Sequence, residues 1–111
     1  MTTPVLFKIA KLLKEKGFNE QTLAIYQDGE ILWLKSTISN KEFMTSRNYS
    51  APTIAEVVMW LYEKHGIWVE VYYDNSKKEF YTVFNGEEYK FNSPTEAYEA
   101  VIEYCLTNII K

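Results

Sequence analysis

The sequence has few of the residues from which catalytic and metal sites are usually built. Its 111 residues include one cysteine, one histidine, four glycines and three prolines. The single cysteine, Cys105, excludes a disulfide within the chain and is typical of a reducing compartment. A conventional zinc site needs three or four nitrogen, sulfur or oxygen ligands, which one histidine and one cysteine do not supply. We therefore expect neither a metal ion nor a cofactor.

Candidate catalytic groups are equally sparse, and each has a structural explanation. Every glycine lies where a turn or a helix end is predicted, so the chain has no glycine-rich phosphate-binding loop. His65, at the end of a predicted helix, is more typical of a cap than of a catalyst. Cys105 lies on an apolar stripe where a thiol is unreactive, while Glu87 and Glu88 point to opposite faces of a strand. The sequence predicts that the protein is not an enzyme.

The charged residues are unevenly distributed, and arginine is nearly absent. The net charge is −3, and Arg47 is the only arginine among 12 cations. Residues 1–55 carry seven cations and five anions, whereas residues 56–111 carry five cations and ten anions. Because phosphate and base recognition favours arginine, direct nucleic-acid binding is disfavoured. The asymmetry indicates contact between a basic first helix and an acidic last one, head-to-tail association, or an outside partner.

No segment has the character of a signal peptide or a membrane span. The first predicted helix alternates apolar residues with lysines every turn, where a signal peptide needs an unbroken apolar stretch. The most apolar run, "VVMWLYEKHGIWVEVYY" at residues 57–73, is interrupted by Glu63 and Lys64. Its apolar helix is far shorter than the roughly 20 residues that a bilayer requires. We expect a cytosolic protein that does not enter the membrane.

Three segments have the apolar spacing of helices. The first, "PVLFKIAKLLKEKGF", ends at Gly17 and has a predicted apolar stripe of Val5, Leu6, Ile9, Leu12 and Leu13. The second opens with a capping box at Thr53 and Glu56 and ends at Gly66. The third begins at Ser93 with a second capping box. Its predicted buried stripe is Ala97, Val101, Cys105 and Ile109, and its predicted acidic exterior is Glu96, Glu99 and Glu103.

Two short dipeptides predict β-hairpins. Asp28-Gly29 and Asn85-Gly86 each match a type I′ turn between two β-prone runs. The first turn predicts the pairs Leu23–Leu34, Ala24–Trp33, Ile25–Leu32 and Tyr26–Ile31. The second predicts the pairs Phe80–Phe91, Tyr81–Lys90, Thr82–Tyr89 and Val83–Glu88. "KEFMTSRNY" is a candidate third strand of the first hairpin, and "IWVEVYYD", at residues 67–74, is predicted to complete a meander with the second.

The resulting order, α-ββ(β)-α-βββ-α, predicts a single α+β domain over residues 1–111, with three helices packed on antiparallel sheet. Both faces of each hairpin are apolar, so each needs a covering element or a partner. Either helices cover both faces, or an aromatic patch stays exposed and marks a partner site. The candidate partner-binding residues are Tyr26, Ile31 and Trp33 on the first sheet and Trp68, Tyr72 and Tyr81 on the second.

Three stretches carry a resemblance to other proteins. "FKIAKLLKEKGF", "SAPTIAEVVMWLYEKHGIWVEV" and "FNSPTEAYEAVIEYCLTNII" together cover about half of the chain. In these stretches the chain resembles a group of short uncharacterised proteins from gut Bacteroidetes and from their prophages and phages. The resemblance implies a small cytosolic accessory protein of mobile-element origin. It brings no catalytic residues with it.

Three functional hypotheses follow. The first is a non-enzymatic interaction module that binds an unknown protein partner, or a second copy of itself, through an aromatic sheet face. The second is a small regulator, of phage origin, that associates with nucleic acid through the lysines of the first helix. The third is a small-molecule-binding domain with a pocket near His65 or the tyrosines.

Overall fold

The computed structural model describes residues 3–110 and confirms the mixed α+β order. In chain order the described residues form α1 (Phe7–Glu15), β1 (Thr22–Gln27), β2 (Glu30–Ile38), a 3-10 helix (Asn40–Glu42), β3 (Asn48–Ser50), α2 (Ile54–His65), β4 (Tyr72–Asp74), β5 (Glu79–Phe84), β6 (Glu87–Phe91), α3 (Pro94–Tyr104) and a π-helical segment (Cys105–Ile109). The strands make two separate antiparallel sheets, with orders β2-β1-β3 and β4-β5-β6.

The first hairpin has the predicted turn and most of the predicted register. Asp28 and Gly29 both have positive φ, as a type I′ turn requires. The pairs confirmed are Ala24–Trp33, Ile25–Leu32 and Tyr26–Ile31. The predicted pair Leu23–Leu34 is wrong, because the register shifts there and Thr22 pairs with Ile38. An extra length of β2 is therefore taken up by a bulge at the open end of the hairpin.

The third strand of this sheet is shorter than predicted. Only Asn48–Ser50 is a strand, and it pairs with β1 rather than with β2. The 3-10 helix occupies the start of the predicted segment, where the Asn40 side chain is buried. Its amide donates to the carbonyl of Phe18, and its side-chain oxygen accepts the N–H of Ser50. These two bonds hold the loop between β2 and β3 against the residues that follow α1 and against the first sheet.

The second sheet has all four pairs that the Asn85-Gly86 turn predicts. The strand predicted to begin at residue 67 is wrong at its start, since β4 begins at Tyr72. The alternation of residues 67–71 has another cause: Val69 is buried in the core while Trp68 and Glu70 point outward. This segment joins β5 through a side chain, because the Thr82 hydroxyl donates to the Glu70 carbonyl at 2.8 Å.

Both predicted ends of α2 are confirmed. The N–H of Thr53 donates to the Glu56 carboxylate at 2.8 Å, and the N–H of Glu56 donates to the Thr53 hydroxyl at 3.2 Å. Gly66 ends the helix in the left-handed conformation at φ +67, where an L side chain would be strained. The next residue, Ile67, returns its N–H to the Leu61 carbonyl at 3.1 Å.

α1 and α3 each differ from the prediction in one detail near the N-terminal end. Leu6 is half-exposed because it precedes the first turn of α1, and Ala10 joins the buried stripe instead. At the start of α3 the Ser93 hydroxyl accepts the N–H of Glu96, but within this described turn no bond returns from the carboxylate.

The end of the last helix widens into a π-turn. The N–H of Ile110 donates to the carbonyl of Cys105 at 3.0 Å, five residues earlier. One extra residue in the turn rotates the predicted stripe by one position. Ile109 is therefore exposed, contrary to prediction, and Ile110 is buried in its place.

One apolar core joins all three helices to both sheets. Its fully buried side chains are drawn from every helix and include Ile9, Leu13, Ile54, Leu61, Ile102 and Leu106. The first sheet contributes Ala24 and Tyr26, and α3 packs on β5 and β6 of the second. Within residues 3–110, no helix combines the length and the apolar character needed to cross a membrane.

The capping box at α2 gives a direct test of this fold. We expect Thr53→Ala to lower the free energy of unfolding by about 1 kcal/mol, because the N–H of Glu56 loses its acceptor. Thr53→Ser keeps the hydroxyl and should stay within about 0.5 kcal/mol of the original protein. Urea unfolding followed by circular dichroism measures both variants. Equal losses of stability in the two variants would show that the Thr53 methyl group causes the effect. That result would contradict the role of the hydroxyl as a cap.

Candidate functional site

The most apolar exposed surface of the first sheet lies along β2. We define the β2 patch as four exposed residues at this edge: Ile31 and Trp33 on one face, and Leu32 with Leu23 of β1 on the other. β2 has β1 as its single strand neighbour among the described residues, and the helices pack mainly on β3, β5 and β6. Trp33, opposite the buried Ala24, consequently remains 60% exposed. The structure thus leaves Trp33 and Ile31 available, as the candidate site requires.

Tyr26 is a correction to the candidate partner-binding residues. Its side chain is only 8% exposed, because the ring packs on Phe7 of α1 with 5.0 Å between ring centroids. The Tyr26 hydroxyl donates to the carbonyl of Val5 at 2.7 Å. Burial also raises the pKa of this phenol, and the nearby Glu99 adds to the shift. Tyr26 therefore holds α1 on the sheet and presents no surface to a partner.

The candidate residues assigned to the second sheet lie close together, but the placement of Trp68 on that sheet is wrong, since it precedes the start of β4. Trp68 and Tyr72 both bond to the carboxylate of Glu70. Trp68 Nε1 donates to Oε1 of Glu70 at 2.8 Å, and the hydroxyl of Tyr72 donates to Oε2. Tyr72 stacks on Tyr81 across the β4–β5 pair, with centroids 5.2 Å apart. Tyr62 of α2 adds a ring at the other end, edge-on to Trp68 at 5.4 Å. The predicted aromatic set of this sheet is thus a connected cluster.

A groove runs beside this cluster, where β4 begins and the second half of β5 has no strand partner on that side among the described residues. We define the Glu70 groove by its lining residues, Trp68, Val69, Glu70, Tyr72, Thr82, Val83 and Val101, which enclose about 280 Å³. The hydrogen bond from Tyr72, followed by that from Trp68, lowers the pKa of the Glu70 carboxyl below its ordinary value. The same bond raises the pKa of Tyr72. An ionised carboxylate therefore lies among aromatic rings.

Sequence reasoning missed Glu70, although the pattern contained a sign of it. Trp68, Glu70 and Tyr72 are spaced by two, and residues at that spacing share one side of an extended segment. An anion between two aromatic residues with N–H and O–H donors is a hydrogen-bonding unit. The spacing alone did not show that the segment would be exposed, because that depends on Val69 entering the core.

The lysines of α1 line another groove, but most are engaged within the chain. The groove measures about 740 Å³ and lies between α1, the loop before β3 and the end of α3. Lys8 pairs with Glu103 at 2.9 Å, which confirms contact between the basic first helix and the acidic last one. Lys14 donates to the carbonyl of Asn48 at 2.8 Å and lies over the Tyr49 ring. These contacts reduce the charge available to a phosphate backbone.

The only histidine and the only cysteine occupy separate environments. His65 is exposed and lies edge-on to Trp60, with ring centroids 4.7 Å apart, in a shallow groove with Lys16 and Glu20. Cys105 is buried in the core, and this burial raises the pKa of its thiol. Cys105 does not line the His65 groove. Among residues 3–110, no group of three or more His, Cys, Asp or Glu residues is arranged to hold a metal ion.

Glu99 is less exposed than the predicted acidic exterior of α3 requires. Its Oε2 accepts the backbone N–H of Leu6 at 3.3 Å, which links α3 to the start of α1. Partial burial raises the pKa of this carboxyl despite that hydrogen bond and the nearby Lys8. The charged form of Glu99 is therefore disfavoured in the folded protein.

Comparisons of the chain with protein-family models, with curated proteins and with solved structures found no match.

The structural role of Tyr26 leads to a stability prediction. Tyr26→Phe should lower the free energy of unfolding by about 1–2 kcal/mol, since it leaves the Val5 carbonyl without its buried donor. Tyr81→Phe, on the outer face of the second sheet, is the matched control and should change stability by less than about 0.5 kcal/mol. Chemical unfolding of both variants measures the difference. Equal stability of Tyr26→Phe and the original protein would contradict the assigned role.

The raised pKa of Glu99 leads to a pH-dependence prediction. A carboxyl whose pKa is higher in the folded state contributes stability below its ordinary pKa, and this contribution is lost as the pH rises through the raised value. Glu99→Gln removes the charge and keeps an acceptor for the Leu6 N–H. We expect the variant to melt at a higher temperature than the original protein at neutral pH.

The advantage of Glu99→Gln should disappear below about pH 4, where the original carboxyl is protonated in both states. Thermal melts across this pH range measure the effect. Glu88→Gln, an exposed carboxylate on β6, is the control and should follow the pH dependence of the original protein. A lower melting temperature for Glu99→Gln at neutral pH would contradict the sign of the shift.

Proposed function

We propose that the protein is a non-enzymatic interaction module that acts through the free edge of β2. One observation carries this proposal: within residues 3–110 the nine-residue β2 is paired on one side only, and it exposes Ile31, Leu32 and Trp33. Natural sheets usually shorten, charge or cover such an edge, since its unpaired backbone groups can recruit another strand. Here the centre of the edge is apolar, so pairing would bury side chains as well as backbone groups.

The alternation of hydrogen-bonded and non-hydrogen-bonded pairs along the hairpin identifies which backbone groups of β2 are free. In a two-residue hairpin the residues that flank the turn, Gln27 and Glu30, form a hydrogen-bonded pair, and such pairs alternate along the ladder. Ile31 and Trp33 therefore form no backbone hydrogen bonds with β1. Their N–H and C=O groups point to the free edge, and their side chains are exposed as well.

A second copy of the chain is the occupant that we propose for this edge. Two β2 strands can pair antiparallel with Trp33 opposite Trp33. In that register the free N–H and C=O groups of one Trp33 face those of the other, so the two residues form a hydrogen-bonded pair. This register also places Leu32 opposite Leu34 on the reverse face. Such a contact is isologous, so each patch covers its equivalent and the assembly closes as a dimer. The result is a continuous six-stranded sheet across the two copies.

The cytosolic location predicted from the sequence is part of the same proposal. A buried Cys105 with no second cysteine is compatible with a reducing compartment and needs none of the oxidising chemistry of export. A dimer built on strand pairing also needs no disulfide to hold it.

Light scattering at several concentrations tests the proposal. We expect a dimer at high concentration that dissociates on dilution, as is typical of a small interface. Trp33→Lys places a charge on the edge and should raise the dimer Kd by at least about tenfold. Trp68→Lys is the matched control, because Trp68 is 57% exposed but lies beside the other sheet. This control should leave the Kd unchanged.

Two results would contradict the proposal. One is a monomeric mass for the original protein at every concentration up to its solubility limit. The other is loss of the dimer in Trp68→Lys with retention in Trp33→Lys, which would move the interface to the second sheet.

A further inference from the structure

The Glu70 groove combines negative charge with aromatic surface in a way that the β2 patch does not. Both oxygens of the Glu70 carboxylate accept hydrogen bonds from ring-bearing residues, Trp68 and Tyr72. These bonds hold the carboxylate against the two rings and keep it ionised at neutral pH. Across residues 3–110, no lysine, arginine or histidine forms an ion pair with Glu70. The groove therefore has an uncompensated negative charge at a defined position.

The aromatic rings beside this charge form two contacting pairs. Tyr62 and Trp68 meet edge-to-face at an interplanar angle of 82°, and Tyr72 stacks on Tyr81 at 25°. The face of an aromatic ring carries negative electrostatic potential, and that of tryptophan attracts cations most strongly. Trp68 and Tyr72 are both exposed, so their surfaces are accessible from solvent. The rings and the carboxylate thus favour the same sign of ligand charge.

The rest of the lining combines valine methyl groups with the Thr82 hydroxyl, which is already hydrogen-bonded to the Glu70 carbonyl. This combination restricts the kind of cation. Val69, Val83 and Val101 supply methyl groups along the lining. A primary ammonium or a guanidinium group must replace several water hydrogen bonds, whereas the polar side chains of the lining, Glu70, Tyr72 and Thr82, are each already engaged in a hydrogen bond within the chain. A quaternary ammonium carries its charge on methyl groups and has no N–H to satisfy. Its chemistry matches the valine methyl groups of the lining and the aromatic rings.

We propose that the Glu70 groove binds a trimethylammonium group, with Trp68 and Tyr72 as its aromatic contacts and Glu70 as its counter-ion. The volume of about 280 Å³ is at the small end for ligand sites and suits a compact head group rather than a large molecule. The site belongs to the second sheet. It does not depend on the proposed pairing of β2, and each proposal fails separately.

Two-dimensional NMR of the tryptophan indole N–H groups provides the test. The probes are choline and N-acetyl-trimethyllysine amide, which represent a free small molecule and a modified lysine side chain. We expect a saturable shift of the Trp68 indole signal with a Kd on the order of 1 mM, as is usual for an exposed cation–π site. The signal is assigned by its absence in Trp68→Leu. Binding of one probe in preference to the other identifies the source of the ligand.

Three comparisons separate the proposed chemistry from non-specific adsorption. The neutral isostere 3,3-dimethyl-1-butanol should bind at least about tenfold more weakly than choline, because it lacks the charge. Glu70→Gln removes the charge and keeps one of the two acceptor oxygens, and it should weaken choline binding about tenfold. Trp33→Leu on the other sheet is the matched control and should bind choline as the original protein does.

The proposal is overturned by any of three results. The first is no saturable shift with either cation at concentrations well above the expected Kd. The second is equal binding of choline and the neutral isostere, which would reduce the groove to an apolar surface. The third is unchanged choline binding in Glu70→Gln, which would remove the carboxylate from the site.

Discussion

The burial of one shared apolar core by three short helices is the constraint on which the rest of the structure depends. α1, α2 and α3 have 9, 12 and 11 residues, so each presents only two to three turns of apolar surface. They meet around Leu13, Leu61 and Ile102, and each sheet gives one face to that centre. Two sheets with two apolar faces each need more cover than these helices supply. What stays uncovered is the edge strand β2 of the first sheet and the surface beside the start of β4 in the second.

The two uncovered surfaces differ in what they offer. The β2 patch lies on a strand edge, so its recognition elements are backbone N–H and C=O groups with Ile31 and Trp33 beside them. The Glu70 groove lies where a sheet edge is left open by a short β4, and its recognition elements are side chains. Backbone pairing is tolerant of partner sequence but demands an extended strand. A charged aromatic groove demands a particular ligand charge.

Two carboxylates illustrate how the same core produces opposite electrostatic results. Glu70 lies outside the core and accepts bonds from Tyr72 and Trp68, which lower its pKa. Glu99 lies against the start of α1, where burial outweighs the bond from Leu6 and raises its pKa. Neither shift follows from residue type. Each follows from whether the tertiary structure supplies hydrogen-bond donors without burial or burial with a single donor.

The sequence by itself determined the features that depend on residues close together in the chain. The turns at Asp28-Gly29 and Asn85-Gly86, the capping box at Thr53 and the end of α2 at Gly66 are all local, and each is confirmed. The order of helices and strands follows from them, because the repeat of apolar residues changes at these boundaries.

Only the tertiary structure decided which apolar residues are covered. Tyr26 and Trp33 lie on one face of the same hairpin, yet α1 packs on the first and leaves the second exposed. Glu70 became part of a site because Val69 entered the core, and Ile109 left the core because the last turn widened. The physical reason is that local patterns fix the conformation and sidedness of a segment, whereas exposure depends on contacts between segments distant in the chain.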